Sequence, residues 1–173
     1  MGAEVALRDY PTVSATADDY IRDIEEFQPD LILLNTTVHT LAEDLEAFAI
    51  ARERFPNVRT IIKGEAVAIQ AEQVLESHPE LDIVLDGEPE TAFSDLVENK
   101  PSMSIGNIVW RNEYSKAVRN PQLPFIPDLD TLPLPARDLF DNSLYRSPEN
   151  GRKITAIYAQ RGCPSKCIFC PAG

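Results

Sequence analysis

Pro29-Asp30-Leu31-Ile32-Leu33-Leu34-Asn35-Thr36-Thr37 sets an unbroken apolar run between a helix-stopping Pro-Asp pair and a polar turn. Four apolar residues without interruption predict a short strand buried on both faces, the kind that parallel sheets contain. Upstream, Thr16-Ala17-Asp18-Asp19 has the capping-box form and opens a helix with Tyr20, Ile21, Ile24 and Phe27 on one stripe. Downstream, Thr40-Leu41-Ala42-Glu43 repeats the box, and Leu41, Leu45, Phe48, Ala49 and Phe55 keep helical spacing until Pro56-Asn57.

The alternation continues outward. Val58-Arg59-Thr60-Ile61-Ile62 predicts a strand, a segment bearing Val67, Ala71, Val74 and Leu75 a helix, Ile83-Val84-Leu85 a strand, and Thr91 to Val97 a last helix. Glu4-Val5-Ala6-Leu7-Arg8 predicts an earlier strand. Strands and helices alternating at this interval imply right-handed βαβ units, hence an α/β, Rossmann-like parallel sheet. Ligands of such sheets sit outside the carboxyl ends of the strands. Here those ends carry Asn35-Thr36-Thr37, Lys63-Gly64-Glu65 and Asp86-Gly87-Glu88. Taken alone, each loop also reads as ordinary turn and cap chemistry.

Past residue 100 the texture changes. Asn107-Ile108-Val109-Trp110 and Lys116-Ala117-Val118 can pair as a hairpin, with Trp110 in packing. Pro121, Pro124, Pro127, Pro133 and Pro135 then exclude helix and favour an extended connector. The chain so divides into residues 1–100 as the sheet domain, 101–150 as hairpin and Pro-rich connector, and 151–173 as the start of a further domain.

Lys and Arg number 16 against 28 Asp and Glu, for a net charge of −12. Nucleic-acid backbones demand clustered cations, so that partner class is not expected, and the acidic excess reads as a solvated surface. No apolar run approaches the roughly 20 residues of a membrane span, and the N-terminus lacks a secretory pattern. A reducing, cytoplasmic setting is expected, in which thiols remain available to metal.

All three cysteines lie in Arg161-Gly162-Cys163-Pro164-Ser165-Lys166-Cys167-Ile168-Phe169-Cys170-Pro171. A disulfide framework needs an even count, and structural zinc needs a fourth ligand that only the distant His39 or His78 could supply. Iron–sulfur clusters are held by cysteine thiolates, normally four. Three in one loop suggest a cubane cluster with one open iron; a ferredoxin-type cluster would need a fourth cysteine outside the chain. Ile154-Thr155-Ala156-Ile157-Tyr158-Ala159, apolar and β-branched, predicts a strand feeding this loop.

The cysteine segment resembles the C-x-x-x-C-x-aromatic-C signature of the radical S-adenosylmethionine (SAM) superfamily. That resemblance implies Cys163, Cys167 and Cys170 as ligands of a [4Fe–4S] cluster and Phe169 beside the SAM adenine. It further implies reductive cleavage of SAM to a 5′-deoxyadenosyl radical, with electrons from a donor such as flavodoxin or ferredoxin. The upstream series Pro29-Asp30-Leu31-Ile32, Lys63-Gly64 and Leu81-Asp82-Ile83-Val84-Leu85-Asp86-Gly87-Glu88-Pro89-Glu90 resembles the N-terminal domain of cobalamin-binding radical SAM proteins. By position, that resemblance makes Asn35, Thr37, Gly64, Gly87 and Glu88 cobalamin contacts, and sets Glu90 in the same Gly-Glu-x-Glu turn.

Lys63 stands where the pattern has a first glycine, and Pro89 where it has another. His39 reads as a solvent-facing or capping residue, since no D-x-H-x-x-G motif supplies a histidine to cobalt. Pro127 to Pro135 resembles the strap joining the two domains of that family. The pattern also leads one to expect one more strand and helix ahead of residue 2 and a barrel beyond residue 173. The chain is therefore expected to be a piece open at both ends, with a bare sheet edge and no SAM cleavage by itself.

Methyl transfer, ring formation or carbon-skeleton rearrangement on an unknown small molecule is the implied chemistry. Two alternatives are a radical SAM protein whose N-terminal domain has lost cobalamin, and a non-catalytic cluster- or cobalamin-binding piece. A methylthiotransferase would carry further cysteines in its α/β domain, and this chain has none there.

Overall fold

The computed structural model describes residues 2–139, 141–158, 161–163, 165, 167, 168 and 170. They form two compact units, one of residues 24–127 and the other of residues 1–23 with 128–173.

The first unit is a five-stranded sheet in the order β1 (Leu31–Asn35), β2 (Arg59–Lys63), β3 (Ile83–Leu85), β4 (Ile108–Arg111) and β5 (Ala117–Arg119). The first three strands are parallel and the last two antiparallel, so the Rossmann-like sheet is mixed rather than wholly parallel. The 108–119 hairpin, expected in the connector, instead extends the sheet beside β3. Its ladder bonds satisfy the free edge of that strand. Asn112 closes the turn, its side-chain carbonyl accepting from the Tyr114 and Lys116 amides.

Alternation along the strands sorts side chains into two cores. Ile62, Val84 and Val109 face helices α3 (Leu41–Arg54), α4 (Glu65–Ile69) and α5 (Ala71–Ser77), packing with Phe48, Ala71 and Leu75. Ile61, Ile83, Leu85 and Ile108 face the other way, against Ala92 and Leu96 of α6 (Pro89–Val97) and Ile105. Thr60, between the two sets of neighbours, is fully buried and locked to Asp82, whose carboxylate accepts from the Thr60 amide and hydroxyl.

β1 departs from the doubly buried reading. It pairs with β2 alone among the described residues, and Leu33 is 37% exposed. An edge strand with one neighbour cannot be covered as a central one is.

In the second unit, Glu4–Arg8 is not a strand. Val5 and Leu7 are exposed, and a lone β segment without a partner ladder leaves its backbone to water. A short helix, α1 (Tyr10–Val13), follows instead, capped by Asp9 through the Thr12 amide. The capping box at the start of α2 (Ala17–Phe27) forms as read: Asp19 accepts from the Thr16 amide and hydroxyl at 2.8 and 2.9 Å. The boundary between the two units falls within this helix. Residues 154–158 are likewise not a strand. Among the described residues, the bridge near this stretch joins Arg146 to Lys153, and Ile157 and Tyr158 are exposed; the Ala159 end of that expected strand lies outside the described residues.

Candidate functional site

Three parallel strands in neighbouring register place Asn35 beside Lys63 and Lys63 beside Leu85. Strands lie about 4.8 Å apart. The loops beginning at Asn35, Lys63 and Asp86 therefore share one end of the sheet within roughly 10 Å, the end at which α/β proteins hold ligands.

The first two loops are fused. The Thr36 amide donates to the Lys63 carbonyl at 2.7 Å, one residue past the strand. A Cβ on Gly64 would lie 2.7 Å from both the Thr36 carbonyl oxygen and its methyl carbon. Gly64 therefore allows this backbone approach within the protein. Its own φ of −179° is open to any residue.

Thr40 does not form the expected capping box with Glu43. Its hydroxyl turns back, accepting from the Thr37 amide at 3.0 Å and lying 3.2 and 3.4 Å from the hydroxyls of Thr37 and Thr36. The three hydroxyls cluster within the loop, where Asn35, Thr37 and Thr40 are exposed and Thr36 is buried. Thr36 and Thr40, which the sequence reading placed in the loop and in a helix cap but not among the candidate contacts, hold this candidate loop together. The Thr-Thr-x-x-Thr spacing after a strand is the signal for them, because threonine hydroxyls compete for local backbone groups.

The third loop is held from its far side. Gly87 has φ of +115°, a conformation L side chains rarely adopt. Beside it, Asn107 donates to the Glu88 carbonyl at 3.2 Å and accepts from the Leu123 amide at 2.7 Å. The Glu88 carboxylate accepts from the Ile126 amide at 2.6 Å. The Gly-Glu turn is thus the anchor for the start of the Pro-rich connector. Asp86, buried, pairs with Arg119, whose guanidinium also makes two 2.7 Å bonds to Glu72 and one of 3.0 Å to the Ala68 carbonyl. The Arg119 guanidinium holds the Glu72 carboxyl below the usual carboxylate range, and Glu72 in turn raises Arg119. Arg119 neutralises the acidic side of the loop, a role that strand β5 could not reveal by itself.

His39 is exposed in the turn before α3. His78 meets the Glu80 carboxylate at 3.0 Å, well removed in sequence from the cysteines.

Cys163, Cys167 and Cys170 are exposed free thiols, and the Cys170 amide donates to the Cys167 carbonyl at 3.1 Å. Three accessible thiols suit an iron–sulfur donor set, although among the described residues no three His, Cys, Asp or Glu side chains are gathered for a metal. Phe169 lies outside the described residues. No helix among the described residues is long and apolar enough to cross a membrane.

No protein-family model matches the chain. Among curated proteins it is 28% identical to an uncharacterized methyltransferase of Pyrococcus horikoshii, over 96% of this chain and 37% of that one. It is 28% identical to the cobalamin-dependent radical SAM methyltransferase TokK of Streptomyces tokunonensis, over 84% of this chain and 22% of TokK. Identity to an anaerobic magnesium-protoporphyrin IX monomethyl ester cyclase of Synechocystis is 26%, over 98% and 34% of the two chains. The chain thus spans between about a fifth and little more than a third of the length of these relatives.

Two solved structures share the fold. The cobalamin-dependent radical SAM enzyme OxsB superimposes with a TM-score of 0.57 at 19% identity, covering 65% of this chain and 16% of OxsB. The radical SAM methyltransferase TsrM of Kitasatospora setae gives 0.56 at 18% identity, covering 69% and 24%. In sequence the chain is similar to a cobalamin-dependent radical SAM methyltransferase over 84% of its length, and its Rossmann-like sheet is shared with two further radical SAM enzymes.

Proposed function

We propose that this chain is the cofactor-holding part of a radical SAM enzyme that keeps cobalamin at the carboxyl end of its sheet. The reaction proposed is methyl transfer, or ring formation or rearrangement, on a small molecule. The observation that carries the reading is the convergence of the Asn35, Gly64 and Gly87 loops at one sheet end, in a chain similar to such enzymes.

Asn35 and Thr37 are the exposed polar groups that would face a corrinoid, with Thr36 and Thr40 fixing the loop behind them. Glu88 acts on the protein side, pinning the connector at Ile126. Cys163, Cys167 and Cys170 would hold the [4Fe–4S] cluster, which when bound supplies the electron for reductive SAM cleavage. A small one-electron carrier protein is the proposed partner.

Anaerobic reconstitution with iron, sulfide and hydroxocobalamin tests the proposal. One corrinoid and four irons per chain are expected after desalting; the iron should vanish in the Cys→Ser triple variant while the corrinoid stays.

A second reading retains the radical chemistry but leaves the sheet as a scaffold without corrinoid. It is favoured by the two motif residues that turn inward: Gly64 is filled by Thr36, and Glu88 is spent on Ile126. Iron uptake without corrinoid uptake would select it.

A further inference from the structure

At the other end of the sheet unit, a cavity of about 290 Å³ is lined by Arg52, Arg59, Asp82, Ser102, Trp110 and Arg111, among others. It lies at the amino ends of β2 and β3 and the carboxyl end of β4, away from the loops discussed above. Three guanidinium groups around one hollow are unexpected in a chain of net charge −12.

Each arginine is placed differently. Arg52 pairs with Asp82 and donates to the Glu80 carbonyl at 3.1 Å. The second Asp82 oxygen is committed to the Thr60 amide and hydroxyl at 2.9 and 3.2 Å, so this carboxylate has little left to offer. Arg111 donates to the carbonyls of Leu75, His78 and Leu81 around the end of α5, which satisfies its hydrogen bonds but not its charge.

Arg59 has the Ser102 hydroxyl, at 3.2 Å, as its side-chain partner among the described residues, and that partner is neutral. The lining thus holds three positive groups against one carboxylate. An unbalanced guanidinium pair in a walled hollow focuses positive potential, and arginine's planar fork matches phosphate oxygens two at a time. The cavity falls just under the range for drug-sized ligand sites, which begins at about 300 Å³, and so suits a smaller group.

We infer that this hollow is an anion site for a small phosphate-type group, with Arg59 and Ser102 as its direct contacts and Trp110 as a flat wall. Arg52 and Arg111 supply potential from fixed positions. Corrinoid binding plays no part in the inference.

Calorimetric titration of the full chain with inorganic pyrophosphate, and separately with inorganic phosphate, is the test. Saturable binding of at least one is expected. Arg59→Ala should weaken it about tenfold or more, the loss expected for charge-assisted hydrogen bonds. Arg54→Ala should leave it unchanged, since Arg54 pairs with Glu25 and does not line the cavity. Arg59→Gln, which keeps the bulk at the start of β2, guards against a folding defect and should weaken binding as Arg59→Ala does. Absence of saturable binding to the native chain, or equal affinity in either folded Arg59 variant, overturns the site.

Discussion

Residues 24–127 keep Phe48, Ile61, Ile62 and Leu75 wholly from water, whereas Ile157, Tyr158 and Ile168 in the cysteine-bearing unit are 78%, 92% and 104% exposed. In the first unit, two apolar cores press on opposite faces of one sheet, and burial fixes the backbone. In the second, the cysteines, which carry the sharpest chemical signature, are exposed. Strong chemistry in a sequence and strong structure in the fold are therefore separate properties. Metal binding can itself supply folding free energy to a segment that packing does not define.

The contrast can be broken most directly from the packed side. Phe48→Ala should cost about 3–5 kcal/mol in urea denaturation, because a fully buried ring leaves a cavity between α3 and the sheet. The triple change of Cys163, Cys167 and Cys170 to serine should leave the unfolding free energy within about 0.5 kcal/mol and abolish iron uptake. A midpoint shift comparable to that of Phe48→Ala would mean that the cysteines support the core after all.

Gly64→Ala comes next. Its Cβ would be driven onto the Thr36 carbonyl, and overpacking of this sort costs about 1–3 kcal/mol, visible as a lower thermal midpoint. If the midpoint holds while corrinoid affinity falls, the glycine serves the ligand rather than Thr36.

A smaller effect is expected where the sheet meets the connector. Glu88→Gln weakens the bond to the Ile126 amide, whose hydrogen exchange should quicken by about five- to tenfold, with the β3 amides unaltered. Uniform acceleration along the sheet would instead make Glu88 part of the core's stability.

The smallest effect is a dependence on pH. The Thr16 amide, with Arg22 and the Thr16 hydroxyl, holds the Asp19 carboxyl at about 2, below its ordinary 3.8. A depressed folded-state value means the contribution is complete above about pH 4 and is lost as pH falls towards 2. Helix content followed by circular dichroism should decline over that window, and Asp19→Asn should flatten the decline.

The strands β1, β2 and β3 and the 108–119 hairpin were legible because apolar runs and turn residues act locally. So was the Thr16–Asp19 cap, whose partners are three residues apart. Glu4–Arg8 misled because alternation describes a strand's faces but cannot supply the neighbour it needs. The direction of the hairpin's docking onto β3 was not legible either, since pairing across a sheet joins residues far apart in sequence, such as Ile83 and Trp110. At the site, Gly87 and Glu88 could be picked out, yet the use of Glu88 depends on Ile126, 38 positions later. Arg119 escaped notice for the same reason, its partners Glu72 and Asp86 being 47 and 33 positions away.

The anchoring of Leu123 and Ile126 also bears on the chain as a polymer. A Pro-rich tether left to itself chooses its heading from local stiffness alone. Here Asn107 and Glu88 clamp two of its first amides, so the stretch up to Ile126 is held by the sheet unit itself. Entropy of closure varies only with the logarithm of tether length. Clamping two amides therefore changes the closing cost of the free tether little, and its larger effect is to order residues 123–126 against the sheet unit.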